Sequence, residues 1–193
     1  MELKELWWQN ESMMKIEIEE DVSKIEKANI GGASEKYLVH TKDKHCYLFK
    51  PVIGYKTTAP FSDELASKMG IRILGVGNCV PIFRISMKIG NNVRRGSIQP
   101  IVPNISQKDY RNPDDSLSDL SDDDIISLCK EQVLDWVIAN HDSHGNQFIR
   151  KDGKLIGIDK TQSMKYFGKD ALGEDWGDFY HPNKKYNEDY PIY

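Results

Sequence analysis

Residues 140–159 of the chain read NHDSHGNQFIRKDGKLIGID, a polar loop followed by two short apolar runs. The loop carries the carboxylate of Asp142 among imidazole and amide side chains. Asp152-Gly153 separates the apolar runs, which predicts a hairpin with a tight turn. Asp159 stands at the exit of its second strand. A hairpin between two acids can bring both to one end, and carboxylate and amide oxygens suit Mg²⁺.

The segment before this loop predicts one helix. Ser121 followed by Asp124 is a capping-box pattern, with acids where the helix dipole favours them. The helix is expected near residues 122–139. Its predicted apolar side consists of Ile125, Leu128, Cys129, Val133, Trp136 and Val137. The stretch 104–124 is polar and acidic and ends at this helix start. It marks the clearest lobe boundary in the chain.

The first half of the chain favours an antiparallel sheet with one helix. Alternation at 15–19 weakly indicates a strand. The other expected strands are 37–40, 46–50, 80–87 and 93–99, the last two joined by a turn at 90–92. A helix is expected to begin at Ser62 as N-cap and to end at Gly75 or Gly77. Its predicted core face consists of Leu65, Met69 and Ile73.

Composition limits the function classes. The formal net charge of -4 and the lack of a basic stripe argue against a nucleic-acid partner. The 3 cysteines are isolated, which fits a reducing compartment. No apolar run reaches membrane-spanning length, and no apolar signal core is visible at the N-terminus. A cytoplasmic location is therefore expected, although an effector exported without a signal peptide would look the same.

The order of these parts matches what phosphoryl transfer requires. A turn with Gly31 and Gly32 precedes a strand ending in Lys50, and a helix with the early acid Glu64 follows. The charge of a transferred phosphoryl group needs a lysine and Mg²⁺, and a carboxylate must orient the acceptor hydroxyl. The protein mainly positions the reactants and stabilises charge.

At this point the sequence resembles a known family. Residues 140–146 (NHDSHGN) resemble the catalytic loop of atypical kinases, which include the phosphatidylinositol kinase-like and HipA-type kinases. Gly157-Ile158-Asp159 is similar to the metal-binding acid that follows it. Leu48-Phe49-Lys50-Pro51 resembles the strand with the ATP lysine, and Gly96-Ser97-Ile98-Gln99 the strand leading to the hinge. The resemblance covers roughly residues 30–165.

The resemblance implies an α+β, two-lobed kinase-like fold that binds ATP and Mg²⁺. Residues 1–103 would form an antiparallel N-lobe and residues 104–193 a reduced helical C-lobe, with ATP between them. A protein Ser/Thr acceptor is expected, because no membrane-binding feature is visible. The implied catalytic residues are Asp142, Lys50 and His144, the metal ligands Asp159 with Asn146 or Gln147, and the nucleotide-binding residues Gly31, Gly32, Ser34, Lys50, Glu64, Gln99, Ile101 and Val102.

Several alternatives stay open from the sequence alone. Asp63 competes with Glu64 as the partner of Lys50. The family's metal amide lies five residues after the catalytic acid, where this chain has Gln147, while Asn146 lies at four. ATP bound in reverse would make the enzyme an AMP transferase, and a nucleotide-binding pseudokinase would transfer nothing. A metallophosphoesterase is disfavoured, because its upstream Asp and His ligands are not in evidence.

Overall fold

The computed structural model describes residues 21–30, 35–52, 59–75, 77–101, 120–140, 147–151 and 154–164. The chain divides into two compact units, Met1–Pro103 and Asn104–Tyr193. Because each unit has its own secondary structure and core, the two are described separately.

The first unit contains a five-stranded antiparallel sheet and one helix. Its strands lie in the order β1-β2-β3-β5-β4. The strands predicted at 37–40, 46–50 and 93–99 are confirmed, as is the turn at 90–92, while the strand expected at 15–19 lies outside the described residues. The elements are β1 Val22–Lys27, β2 Tyr37–Thr41, β3 Cys46–Pro51, α1 Ala59–Leu74, β4 Phe83–Ile89 and β5 Asn92–Pro100.

One face of the sheet carries the apolar core of this unit. Phe49 and Ile98 lie directly opposite each other on β3 and β5, and Phe83 of β4 faces Ile98 on the other side. All three side chains are buried. Strand residues alternate between faces, so the neighbouring positions Lys50 and Ser97 point to the opposite face of the sheet.

Helix α1 begins at Ala59, earlier than the predicted cap at Ser62, and ends before Gly75 as expected. Gly75 takes a φ of 92°, a left-handed conformation that glycine adopts readily at a helix end. The apolar face predicted from Leu65, Met69 and Ile73 is only partly buried, since Leu65 and Met69 are half-buried and Ile73 is 47% exposed. The buried positions are instead Pro60, Ser62, Asp63, Ala66, Ser67 and Gly70.

Small and polar residues form the buried face of α1 because that face makes hydrogen bonds at close range. Ser67 Oγ donates to the carbonyl oxygen of Val80 at 2.8 Å and accepts from the amide of Ile82 at 2.9 Å. One hydroxyl thus satisfies two backbone groups in the chain that leads into β4. A long apolar side chain at this position could satisfy neither group.

The second unit contains a helix and a two-stranded hairpin. These are α2 Asp122–Val137, β6 Phe148–Lys151 and β7 Lys154–Gly157. The predicted capping box is present: Ser121 Oγ accepts from the Asp124 amide at 3.2 Å, and the Asp124 carboxylate accepts from the Ser121 amide at 3.0 Å. The predicted hairpin is also confirmed, with Phe148 opposite Gly157.

The predicted apolar side of α2 is wrong except at Leu128. Trp136 is 67% exposed, and Ile125, Val133 and Val137 are exposed as well. The buried side carries Asp124, Leu128, Glu131, Leu134 and Asp135. Acids can occupy it because partners meet them; Arg150 of β6, for example, binds Asp124 through Nε at 3.2 Å and Nη2 at 2.8 Å.

The fold is mixed α+β, with an antiparallel sheet and two helices in the described ranges. Across those ranges, no helix has the length and apolar character needed to cross a membrane. The two-lobed, kinase-like arrangement stays a prediction.

Candidate functional site

Lys50 lies near the end of β3, on the face of the sheet opposite the apolar core. It pairs with Ser97 of β5 in the antiparallel register. Side chains of directly opposed residues share a face and lie close together. Gly96, the residue before Ser97, permits this close pairing, since a Cβ there would collide with the Lys50 carbonyl oxygen and come within 2.6 Å of the Phe49 ring.

Asp63 of α1 reaches the sheet at this position. Its side chain is fully buried, and its Oδ2 accepts a hydrogen bond of 2.7 Å from Ser97 Oγ. Because Ser97 lies opposite Lys50, the bond places a buried carboxylate beside the strand pair that carries the lysine. Asp63 is therefore the acid of α1 that faces the predicted nucleotide-binding lysine.

Glu64 points elsewhere, which corrects the expectation that it holds Lys50. Its carboxylate binds the guanidinium of Arg84 and, at 3.4 Å, the ammonium of Lys68. Partial burial alone would raise the pKa of Glu64, but the hydrogen bond from Arg84 and the charge of Lys68 outweigh it and lower the pKa. The reason is geometric: consecutive helix residues differ by about 100° around the axis, so the two acids meet different strands, Asp63 meeting Ser97 of β5 and Glu64 meeting Arg84 of β4, which lies opposite Ser97.

The predicted adenine-binding connector follows β5. Gln99 is half-buried and lies opposite Leu48 of β3. Ile101 remains attached to the sheet, since its amide donates to the Cys46 carbonyl oxygen at 2.9 Å. Val102, the third residue of this set, lies outside the described residues.

The predicted phosphate-binding turn, with Gly31, Gly32 and Ser34, also lies outside the described residues. The structure does describe Glu35, the next residue after it. The Glu35 carboxylate binds Arg94 of β5 at 2.6 Å and Lys27 of β1 at 3.2 Å. These ion pairs bind Glu35, the residue after the predicted turn, to β1 and β5.

In the second unit, Asp142, His144 and Asn146 lie outside the described residues, whereas the residues that flank them are described. Asn140 is bound to the end of α2 twice. Its amide donates to the Asp135 carbonyl oxygen at 2.8 Å, and its Nδ2 donates to Asp135 Oδ1 at 3.0 Å. The start of the candidate catalytic loop is therefore held by the helix that precedes it.

Gln147 and Asp159 flank the hairpin, and both lie at the same end of it. The amide of Ile158 donates to the Gln147 carbonyl oxygen at 2.8 Å, which extends the pairing beyond Phe148 and Gly157. Asp159 has a φ of 58°, a conformation that Asp tolerates better than most residues, and Thr161 Oγ1 donates to its Oδ1 at 3.1 Å.

The donors at this end of the hairpin fit a hard cation such as Mg²⁺, but only in part. A carboxylate at Asp159 and an amide at Gln147 are oxygen donors of the kind that Mg²⁺ accepts. Within the described ranges, no three His, Cys, Asp or Glu side chains are grouped so as to hold a metal. Mg²⁺ usually completes so small a set of protein ligands with water and substrate phosphates.

The sequence interpretation missed a buried charged cluster beside this end of the hairpin. Lys160 Nζ lies 2.6 Å from Asp135 Oδ1 and 3.0 Å from Glu131 Oε2, and all three residues are buried. A usable signal was present: Glu131 and Asp135 are four residues apart, on the helix face that carries Leu128. Acids on an apolar helix face require a cationic or N–H partner.

Comparison of the sequence with protein-family models and with curated proteins gives no match.

Proposed function

We propose that the chain is an ATP- and Mg²⁺-dependent phosphotransferase of the atypical, protein-kinase-like class, with a protein Ser/Thr hydroxyl as acceptor. The observation that carries the proposal is the hydrogen bond between Asp63 and Ser97, at the sheet position opposite Lys50. A strand lysine with a helix acid nearby is the arrangement with which kinases hold the ATP phosphates.

In this proposal the first unit supplies the nucleotide contacts. Lys50 binds the α- and β-phosphates, and Asp63 orients the lysine, in the role first assigned to Glu64. The backbone of the turn at Gly31-Gly32 approaches the phosphates, because N–H groups in such turns attract anions. The adenine lies against the connector from Gln99 to Val102.

The second unit supplies the acid and the metal ligands. Asp142 orients the acceptor hydroxyl, and His144 organises the neighbouring acids. Asp159, with Asn146 or Gln147, would hold Mg²⁺, which neutralises charge on the phosphates. The described hairpin supports this assignment, because it brings the backbone of Gln147 to within one hydrogen bond of the residue before Asp159.

Transfer of label from ATP tests the proposal. The chain is incubated with Mg²⁺, a cell lysate and ATP labelled at either the γ- or the α-phosphate. Label from the γ-phosphate on protein is expected, and it should disappear in Lys50→Met but persist in Lys88→Met, a matched change at an exposed lysine of β4. Label from the α-phosphate would instead identify an AMP transferase, and no label at all would leave a nucleotide-binding protein without turnover.

A further inference from the structure

The Glu131–Asp135–Lys160 cluster carries more charge than its surroundings require for folding. The three residues are 1%, 4% and 5% exposed. Buried ion pairs seldom stabilise a protein more than well-packed apolar side chains would, because desolvation of the charges offsets their attraction. A buried, fully connected polar network does, however, specify one geometry. The contacts of the cluster show which parts of the chain it connects.

Asp135 Oδ1 is shared by two donors from different segments. Lys160 Nζ lies 2.6 Å from it, and Asn140 Nδ2 lies 3.0 Å from it. Asn140 stands two residues before Asp142, and Lys160 directly follows Asp159. A single carboxylate oxygen therefore joins the segments that carry the two proposed functional acids.

Glu131 fixes the other side of Asp159. Its Oε1 accepts from the Gly157 amide at 2.9 Å, and its Oε2 lies 3.0 Å from Lys160 Nζ. Gly157 has no side chain to obstruct the contact; a Cβ there would lie 2.6 Å from Lys160 Nζ. Glu131 thus holds the chain on both sides of Asp159, and Asp135 holds it on the Lys160 side.

The lysine remains charged in this environment. Burial alone would lower its pKa, but the carboxylates of Asp135 and Glu131 outweigh burial and raise the pKa above its ordinary value. Lys160 Nζ bridges the two carboxylates of α2.

We infer that Asp135 and Lys160 are positioning residues, which hold the segment beginning at Asn140 and the segment around Asp159 at a fixed separation. The inference rests on the proposed function for its catalytic consequence, since that separation would set the distance between Asp142 and the metal ligand Asp159. A misplacement of about 1 Å between catalytic groups can lower a rate about a hundredfold.

Asp135→Ala in the full chain tests the inference. The change removes the shared acceptor but leaves Lys160 paired with Glu131, so no buried charge loses its only counter-ion. Asp124→Ala is the matched control. Asp124 is another buried carboxylate of the same helix, and it binds Arg150, a cation of the hairpin. The Asp124 side chain contacts neither of the two segments. Asp135→Asn, which restores an acceptor oxygen, is the conservative variant.

Hydrogen exchange measures the positioning directly. Asp135→Ala is expected to speed amide exchange in residues 138–140 and 158–164 together, by about tenfold or more, while Asp124→Ala leaves both segments as in the wild type. Asp135→Asn is expected to recover most of the protection. If Asp135→Ala does not fold, Asn140→Ala replaces it, because it removes only the donor to Asp135 Oδ1 and is expected to speed exchange at the same residues to a smaller extent. The inference is overturned if the two alanine variants give the same pattern, or if only one segment responds.

Kinetics and metal binding measure the consequence. Asp135→Ala is expected to lower kcat by roughly 10- to 100-fold with little change in the KM for ATP, and to weaken Mn²⁺ binding measured by electron paramagnetic resonance. Loss of folded protein would also lower the apparent kcat at an unchanged KM, so kcat and Mn²⁺ binding are both expressed per folded molecule, with the folded fraction taken from circular dichroism. A purely structural residue would leave both normalised values unchanged. If the exchange pattern appears as expected but the wild type neither binds Mn²⁺ nor transfers label, the proposed function fails while the coupling of the two segments stands.

Discussion

Ser97 Oγ donates a hydrogen bond of 2.7 Å to Asp63 Oδ2, and this bond determines which acid of α1 meets the strand of Lys50. Ser97 and Lys50 are opposed in the register of β3 and β5. The neighbouring acid, Glu64, binds Arg84 and Lys68. Two consecutive acids therefore have different environments, and they should respond differently to substitution.

Asp63→Ala should cost more stability than Glu64→Ala. The first change leaves the buried hydroxyl of Ser97 without its carboxylate acceptor, which costs about 1–3 kcal/mol. The second removes a pair with the half-exposed Arg84, which is worth about 0–1 kcal/mol. Urea unfolding of both variants measures the difference, and a larger loss for Glu64→Ala would contradict the assignment.

Asp63→Ala and Lys50→Ala should also impair the same step of nucleotide binding. Residues that act through one another give non-additive effects in a double-mutant cycle. Calorimetric titration with ATP and Mg²⁺ is therefore expected to show strong coupling between Lys50 and Asp63, and additive losses between Lys50 and Glu64. If the losses of Lys50 and Asp63 are additive while those of Lys50 and Glu64 are coupled, Glu64 is the partner of Lys50, as the sequence first predicted.

Asp142→Asn should separate chemistry from binding. If Asp142 orients the acceptor hydroxyl, loss of its charge should lower kcat by roughly two orders of magnitude or more. ATP affinity and melting temperature should change little, because in the proposed mechanism Lys50 and Asp159, not Asp142, bind the nucleotide. Single-turnover transfer, ATP titration and thermal melting test this, with Asp123→Asn as an exposed control. Full activity in Asp142→Asn would refute the mechanism.

Gly157→Ala should destabilise the second unit although its backbone is not strained. The added Cβ would collide with the Glu131 carboxylate and approach Lys160 Nζ, and such overpacking costs about 1–3 kcal/mol. Gly77→Ala is a contrasting case, because the space around it is open but its φ of 84° disfavours alanine. The Gly157 variant should also speed hydrogen exchange at residues 158–164, whereas the Gly77 variant should not. If residues 158–164 exchange at the same rate in the two variants, the Glu131–Asp135–Lys160 cluster accommodates the added methyl group without losing stability.

Glu35 should make stability depend on pH in the acid range. Hydrogen bonds from Arg94, Tyr37 and Lys27 lower its pKa from 4.5 to about 2. A depressed pKa in the folded state means that the stabilisation is fully present above the unfolded pKa and is lost as pH falls through the folded one. The melting temperatures of the wild type and Glu35→Gln should therefore differ at pH 6 and converge as the pH falls from 4.5 to about 2. A constant difference across this range would contradict the ion-pair role.

Local patterns predicted those elements whose stabilising contacts lie within a few residues. The capping box of Ser121 and Asp124 closes over three residues, and the pairing of β6 with β7 begins at Lys151 and Lys154, three positions apart. The end of α1 at Gly75 likewise depends on a backbone conformation that few residues other than glycine adopt readily. Such features can be predicted because both partners stand close together in the sequence.

The helix faces could not be predicted in the same way. Apolar periodicity placed Trp136 and Val133 on the inner side of α2, yet the structure buries Glu131 and Asp135 instead. Their burial depends on Lys160, which lies 25 residues beyond Asp135. The same holds for α1. Asp63 faces inward because it accepts a hydrogen bond from Ser97 of β5, which lies 34 residues further along the chain.

The sequence by itself determined four of the five strands of the described sheet, the two helices, the hairpin and the candidate acids Asp142 and Asp159, because residue type and short spacing carry that information; β1 was not among the predicted strands. Only the tertiary structure decided that Asp63 rather than Glu64 faces the strand of Lys50, and that Asp135 joins Asn140 to Lys160. These choices depend on contacts between distant segments. A carboxylate becomes a buried partner rather than a solvated surface group only when folding brings a donor to it.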